Sequence, residues 1–156
     1  MIPQLLIKGG TVIDPATKRD GRFDVLIADG VIQDVQPAIP SNNGVTRVDA
    51  SGTLILPGFV DLHVHFRQPG REDQETIETG SRAAVRGGFV AVCPMPNTQP
   101  VIDHRGAVEW VVQEAKRVGL VEVRPIGALT KGQRGEELTD FGELFEAGCV
   151  ALSDDG

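Results

Sequence analysis

Pro57-Gly58-Phe59-Val60-Asp61-Leu62-His63-Val64-His65-Phe66-Arg67 decides the fold, because an apolar strand pattern there ends in polar side chains. Successive strand side chains point to opposite faces, so Asp61, His63 and His65 share one face and Leu62, Val64 and Phe66 the other. Two imidazoles then point the same way. Neutral imidazole is the commonest nitrogen ligand for a borderline metal such as zinc, and a His-x-His pair at a strand end can place two nitrogens on one ion. The bland alternative is an edge strand with two unrelated histidines; against it, the chain has 3 histidines and two sit here.

Downstream the pattern repeats as strand, loop, helix. Phe59 to His65 is the first strand, and Gln74 to Arg86 reads as a helix with Ile77, Ala84 and Val85 apolar, closed by Gly87-Gly88. Phe89 to Cys93 is the second strand, followed by a helix from Asp103 to about Gly119. Glu122 to Ala128 is the third strand, Asp140 to Ala147 the next helix, and Cys149 to Leu152 the fourth strand. Strands that are nearly all apolar and alternate with helices indicate a parallel sheet buried on both faces. The predicted fold class is α/β, the amino-terminal half of a TIM-like (β/α)8 barrel over residues 57–156. In such barrels chemistry sits at the carboxyl ends of the strands, where His63, His65, Asn97, the Thr130 loop and Asp154-Asp155 all fall. A half barrel has two unpaired edges, so the chain is expected to be part of a longer protein or to pair with a second segment.

Upstream, residues 1–56 read as short strands: Gln4 to Lys8, Thr11 to Ile13, Asp24 to Ile27, Val31 to Val35, Val45 to Val48 and Thr53 to Leu56. Asp29-Gly30 between two of them is a hairpin signal, and Ser41-Asn42-Asn43-Gly44 is a loop. This segment is expected to be part of a small β-sandwich domain that another segment completes.

Composition sets the outer bounds. Hydrophobic residues make up 40% and charged residues 24% of the 156, which fits a globular chain with a real core. The net charge of -7 argues against nucleic-acid or anionic-membrane partners. The start Met1-Ile2-Pro3-Gln4 carries no secretory signal, and a cytoplasmic setting is the default expectation. Cys93 and Cys149 lie in apolar runs and read as buried free thiols.

Three further features could carry chemistry. Ser153-Asp154-Asp155-Gly156 alone is a polar turn, but beside two histidines a carboxylate there could be the anionic ligand of a metal pair. Asn97, in Met95-Pro96-Asn97-Thr98, offers an amide acceptor and two donors. Arg67 can grip a carboxylate through two parallel hydrogen bonds, which a lysine cannot. Lys131, after the third strand, reads as a surface residue.

The Pro57 to Arg67 stretch, Pro69-Gly70, Glu75 to Gly80, Gly87-Gly88, Met95 to Thr98 and Asp154-Asp155-Gly156 together closely resemble the zinc-dependent dihydroorotases of the amidohydrolase superfamily. The likeness runs through nearly the whole chain; Gln68 stands where the family usually has Glu. It implies that His63 and His65 bind one zinc, that Asp155 bridges two, and that His65, Arg67 and Asn97 form part of the substrate pocket. It also implies reversible hydrolysis of dihydroorotate to N-carbamoyl-aspartate, with further zinc histidines and a catalytic aspartate beyond residue 156. No residue of this chain is then the general acid or base. Implied partners are the small-molecule substrate, the rest of the barrel, a homodimer and aspartate transcarbamoylase. The alternatives are a hydantoinase- or allantoinase-like hydrolase, against which Arg67 with Asn97 and the bridging aspartate argue, and a non-catalytic partner of the transcarbamoylase.

Overall fold

The computed structural model describes residues 4–41 and 43–155. Met1-Ile2-Pro3, the loop residue Asn42 and Gly156 of the last cluster lie outside them. The chain divides into two compact units, Met1–Pro57 and Gly58–Gly156.

The first unit is one five-stranded sheet of order β3-β2-β1-β4, with β5 also paired to β1. Its strands are β1 (Leu5–Asp14), β2 (Arg19–Ala28), β3 (Val31–Gln36), β4 (Thr46–Asp49) and β5 (Leu54–Ile55). The two strands expected on either side of Gly9-Gly10 are a single strand. The glycines do not end it; the pairing with β2 slips between Ile7 and Gly10, and the ladder resumes at Gly10↔Phe23. At Asp29-Gly30 both residues have positive φ, 52° and 75°, the backbone a two-residue hairpin between right-twisted strands requires.

A buried carboxylate ties this unit together. Asp24, 4% exposed, accepts from the Gly9 and Ile39 amides at 2.9 Å each, and Lys8 Nζ lies 2.8 Å away. Lys8 also donates to the Ile39 carbonyl at 2.9 Å. One side chain thus fixes the bulge at Gly9 and the loop after β3. The Ile39 amide first, then the Lys8 ammonium, hold the Asp24 pKa at about 2 rather than the ordinary 3.8.

In the second unit the strands run parallel. A sheet of order β6-β7-β8 joins β6 (Phe59–Val64), β7 (Phe89–Pro94) and β8 (Glu122–Val123), and a separate pair joins β9 (Ile126–Gly127) to β10 (Ala151–Leu152). The single third strand expected over residues 122–128 is therefore two pieces. Pro125 has no amide hydrogen for the ladder, and the strand breaks there. The Arg124 amide still reaches the Val92 carbonyl at 2.9 Å, and the Val150 amide reaches the Pro125 carbonyl at 3.1 Å. The strands are thus stitched side by side in chain order.

Three helices follow the strands: α1 (Ile77–Arg86), α2 (Arg105–Val118) and α3 (Phe141–Ala147). Thr76 and Thr79 cap the start of α1 reciprocally, Gly119 ends α2 in the left-handed region, and Asp140 caps α3 through the Glu143 amide. The core joins Phe66 and Val92 to Ile77, Val108, Val111 and Leu144 from all three helices. Cys93 and Cys149 are buried and free. Burial pushes the Cys149 thiol up to about 12, so it is inert packing. The expectation of strands buried on both faces is not met: Val60, Leu62 and Val90 are 54%, 70% and 55% exposed. The helices cover one side only.

Two substitutions test this account. Alanine normally favours a helix interior over glycine by about 1 kcal/mol, yet a Cβ at Gly80 would stand 2.1 Å from Phe66 Cε1 in the core. Gly80→Ala is expected to destabilise by about 1–3 kcal/mol in urea unfolding; stabilisation would show that Phe66 is free to move. For Asp24 the folded pKa is depressed, so its contribution is present above the unfolded value of 3.8 and lost as pH falls from 3.8 towards about 2. Asp24→Asn should cost about 2 kcal/mol at neutral pH. The gap from the parent protein should close as unfolding is measured towards pH 2.

Candidate metal centre

The end of β6 does not keep strict alternation. Its pairing with β7 is irregular between Asp61 and Val64, and Asp61 lines a groove with Val64, Phe66, Glu75 and Gly80 instead of standing with the histidines. The Asp61 carboxylate turns back to accept from the His63 amide at 3.1 Å. His63 and His65 still converge, with their Nε2 atoms 3.2 Å apart. Phe66, 4% exposed in the core, anchors the chain between His65 and Arg67.

Each further strand end adds one group. The Met95 amide continues the β6–β7 ladder by reaching the Val64 carbonyl at 2.9 Å, and this carries Asn97 alongside His65. Thr98 closes the same loop, its hydroxyl donating to the Pro100 carbonyl at 2.7 Å. At the other end, the Ser153 amide reaches the Gly127 carbonyl at 2.9 Å and prolongs β10 into Asp154 and Asp155.

The two aspartates do different work. Asp154 accepts from the Leu129 and Thr130 amides at 2.9 and 3.0 Å and from the Thr130 hydroxyl at 2.5 Å. Burial alone would raise its pKa, but these bonds outweigh it and hold the carboxyl below its usual range. Asp154 is thereby committed to the loop after β9. Asp155 turns to the histidines: Oδ1 lies 3.3 Å from His63 Nε2 and Oδ2 3.6 Å from His65 Nε2.

His63, His65 and Asp155 form the three-residue group among the described residues that could hold a metal ion, with ligand atoms all within 4.8 Å of one another. Two imidazoles and a carboxylate are a donor set that zinc accepts, and ligand atoms about 2 Å from a tetrahedral centre lie roughly 3.3 Å apart. The observed 3.2, 3.3 and 3.6 Å match that spacing. Asn97 completes the arrangement. Its Oδ1 is 3.1 Å from His65 Nδ1 and its Nδ2 donates to Asp155 Oδ2 at 3.3 Å. With Nδ1–H donating to the amide oxygen, the lone pair of His65 is left on Nε2, facing the other two ligands. One amide hydrogen of Asn97 is left for another acceptor.

Arg67 is half-buried three residues beyond the end of β6, and its carbonyl accepts from the Arg71 amide at 2.8 Å. Gln68 accepts from the Ile77 amide at 2.8 Å and so satisfies a free donor at the start of α1, without the charge a glutamate would bring. Lys131 is exposed and pairs with Glu137. The third histidine, His104, pairs with Asp103 at 2.9 Å on the exposed end of α2, away from the ligand group. Sequence reading missed Gln133, whose Nε2 donates to the Asp155 carbonyl at 3.2 Å. A polar residue beside a glycine in a strand-end loop was the signal available.

Solved structures that superpose on this chain include two hydantoinases and a dihydroorotase. L-Hydantoinase (dihydropyrimidinase) from Arthrobacter aurescens superposes with a TM-score of 0.77 at 20% identity, over 97% of this chain and 32% of that one. A D-hydantoinase from Thermus sp. gives 0.62 at 26% identity, over 91% and 30%. A crystal structure of a dihydroorotase gives 0.56 at 18% identity, over 96% and 42%. These likenesses define a mixed α/β chain of the fold that these hydrolases share. Within that fold, the chain belongs to the dihydro-orotase-like family, whose model matches residues 52–156. It is 53% identical over 152 residues to a dihydroorotase of Citrifermentans bemidjiense, covering 97% of this chain and 36% of the relative. It is 50% identical to a dihydroorotase of Acetivibrio thermocellus, covering 97% and 35%. The chain thus spans about a third of the length of these relatives. No helix among the described residues is long and apolar enough to cross a membrane.

In the full protein, His63→Ala or His65→Ala should lower bound metal well below that of the parent, measured by elemental analysis after dialysis. Undiminished metal in both variants would contradict the ligand assignment.

Proposed function

We propose that this chain supplies part of the active site of a zinc-dependent dihydroorotase, which interconverts dihydroorotate and N-carbamoyl-aspartate in pyrimidine synthesis. The observation that carries the reading is the meeting of His63, His65 and Asp155 with Asn97 braced across two of them. His63 and His65 would hold one zinc with Asp155 as the carboxylate beside them, and by the chain's likeness to the family Asp155 would be shared with a second zinc. Zinc, when bound, supplies a hydrolytic water of lowered pKa and polarises the amide carbonyl.

The chain's own residues bind and orient. The half-buried Arg67 guanidinium would grip the substrate carboxylate through two parallel hydrogen bonds. The spare amide hydrogen of Asn97 would add a third. Such positioning matters because displacing a reacting atom by about 1 Å can cost roughly a hundredfold in rate. Proton transfer to the leaving nitrogen falls to an aspartate outside these residues.

The same reading extends to the architecture. Parallel strands in chain order, with helices on one side and Val60, Leu62 and Val90 open on the other, support the first half of a (β/α)8 barrel whose interior further strands fill. The sheet of the first unit would be part of a small β-sandwich domain. The rest of the barrel is the first partner this arrangement needs; a homodimer or aspartate transcarbamoylase would be additional to it.

Hydrolysis of dihydroorotate, hydantoin and allantoin by the full protein tests the proposal. Dihydroorotate should be turned over with by far the highest kcat/KM; a preference for hydantoin or allantoin would overturn the substrate reading. Arg67→Met should raise KM for dihydroorotate by tenfold or more with zinc content retained. An unchanged KM would remove Arg67 from the pocket.

A further inference from the structure

The loop after β9 holds Asp155 in a way that the ligand set itself does not explain. It leaves Gly127, passes through a short 3-10 turn at Lys131–Gln133, and returns through an isolated bridge between Thr130 and Leu138. Both aspartates that follow β10 are held from it. Asp154 is held through its carboxylate by Leu129 and Thr130, and Asp155 through its main-chain carbonyl by Gln133 Nε2 at 3.2 Å.

Gln133 occupies an unfavourable backbone conformation to do this. Its φ is 57°, left-handed space that a non-glycine residue seldom enters. Neighbouring bonds impose that conformation. The Gly132 amide donates to Asp103 Oδ2 at 2.8 Å, the Gln133 amide to the Thr130 carbonyl at 3.0 Å, and the Gly135 amide to the Thr130 hydroxyl oxygen at 2.9 Å. The Asp155 amide donates to Ser153 Oγ at 3.1 Å. Asp155 is therefore pinned by both main-chain groups, and its side-chain torsions are what remain free to meet His63 and His65.

We propose that Gln133 is a positioning residue: through the Asp155 carbonyl it fixes the main chain from which the ligand carboxylate projects, and so raises metal affinity. The proposal rests on the reading of Asp155 as a ligand. A neutral donor suits the place. A glutamate there would set an acceptor against a carbonyl, and a lysine would bring a cation towards the metal.

The test uses the full protein, zinc alone as the probe, and a competing chromophoric chelator to read affinity. Gln133→Met keeps length and removes the donor. It should weaken zinc binding about tenfold, the lower end of what partners behind metal ligands contribute. The unfolding temperature of the zinc-free protein should stay within about 2 °C of the parent. Zinc affinity within twofold of the parent would overturn the proposal, as would a loss matched by an equal fall in zinc-free stability. Asp155→Asn separates the two levels. If it loses zinc and Gln133→Met does not, the positioning role alone fails; if Asp155→Asn keeps zinc, the ligand reading fails and takes the proposal with it.

Discussion

Side chains from three separate strand ends reach one point, and everything functional in this chain depends on that convergence. His63 and His65 come from the end of β6, Asn97 from beyond β7, and Asp155 from beyond β10. Parallel strands make this possible, since all their carboxyl ends face the same way. The ladder is carried past the regular strands by single bonds, Met95 to Val64 and Ser153 to Gly127, and these hold the following loops beside the strand ends. Without an ion, separations of 3.2 to 3.6 Å are those of hydrogen bonds and ion pairs among two imidazoles and a carboxylate. With one, the same spacing is that of ligands around a common centre.

The parts of the site that depend on strand ends were legible in the sequence. His63 and His65 stand two apart in an apolar run, Asn97 follows the second such run, and Asp155 the fourth; side chains at strand ends are constrained by the pattern itself. What depends on local irregularity was not. The slipped pairing that moves Asp61 away from the histidines, the continuation of β1 through Gly9-Gly10, and the break at Pro125 are tertiary adjustments of single residues. Gln133 was hidden for a related reason. Its partner is a backbone carbonyl 22 residues away, and no side-chain pattern encodes a bond to main chain.

Asn97 shows how structure sharpens a role inferred from chemistry. As an amide after a strand it reads as a substrate contact; in the fold its oxygen and one hydrogen are spent on His65 and Asp155. It therefore braces His65 against Asp155, with one hydrogen left over for another acceptor. Asp154 and Asp155 make a similar point. They are adjacent and chemically identical, yet one is saturated by three donors from the β9 loop and the other faces two imidazoles. Alternation at a strand end gives neighbouring residues opposite surroundings, and the surroundings assign the roles.

The central claim is that His63, His65 and Asp155 share an ion through the Nε2 atoms of both histidines. Anomalous diffraction at the zinc edge from crystals of the full protein tests it most directly. A peak is expected about 2 Å from both Nε2 atoms and from a carboxylate oxygen of Asp155. A peak elsewhere, or coordination of His65 through Nδ1 with Asn97 displaced, would contradict it.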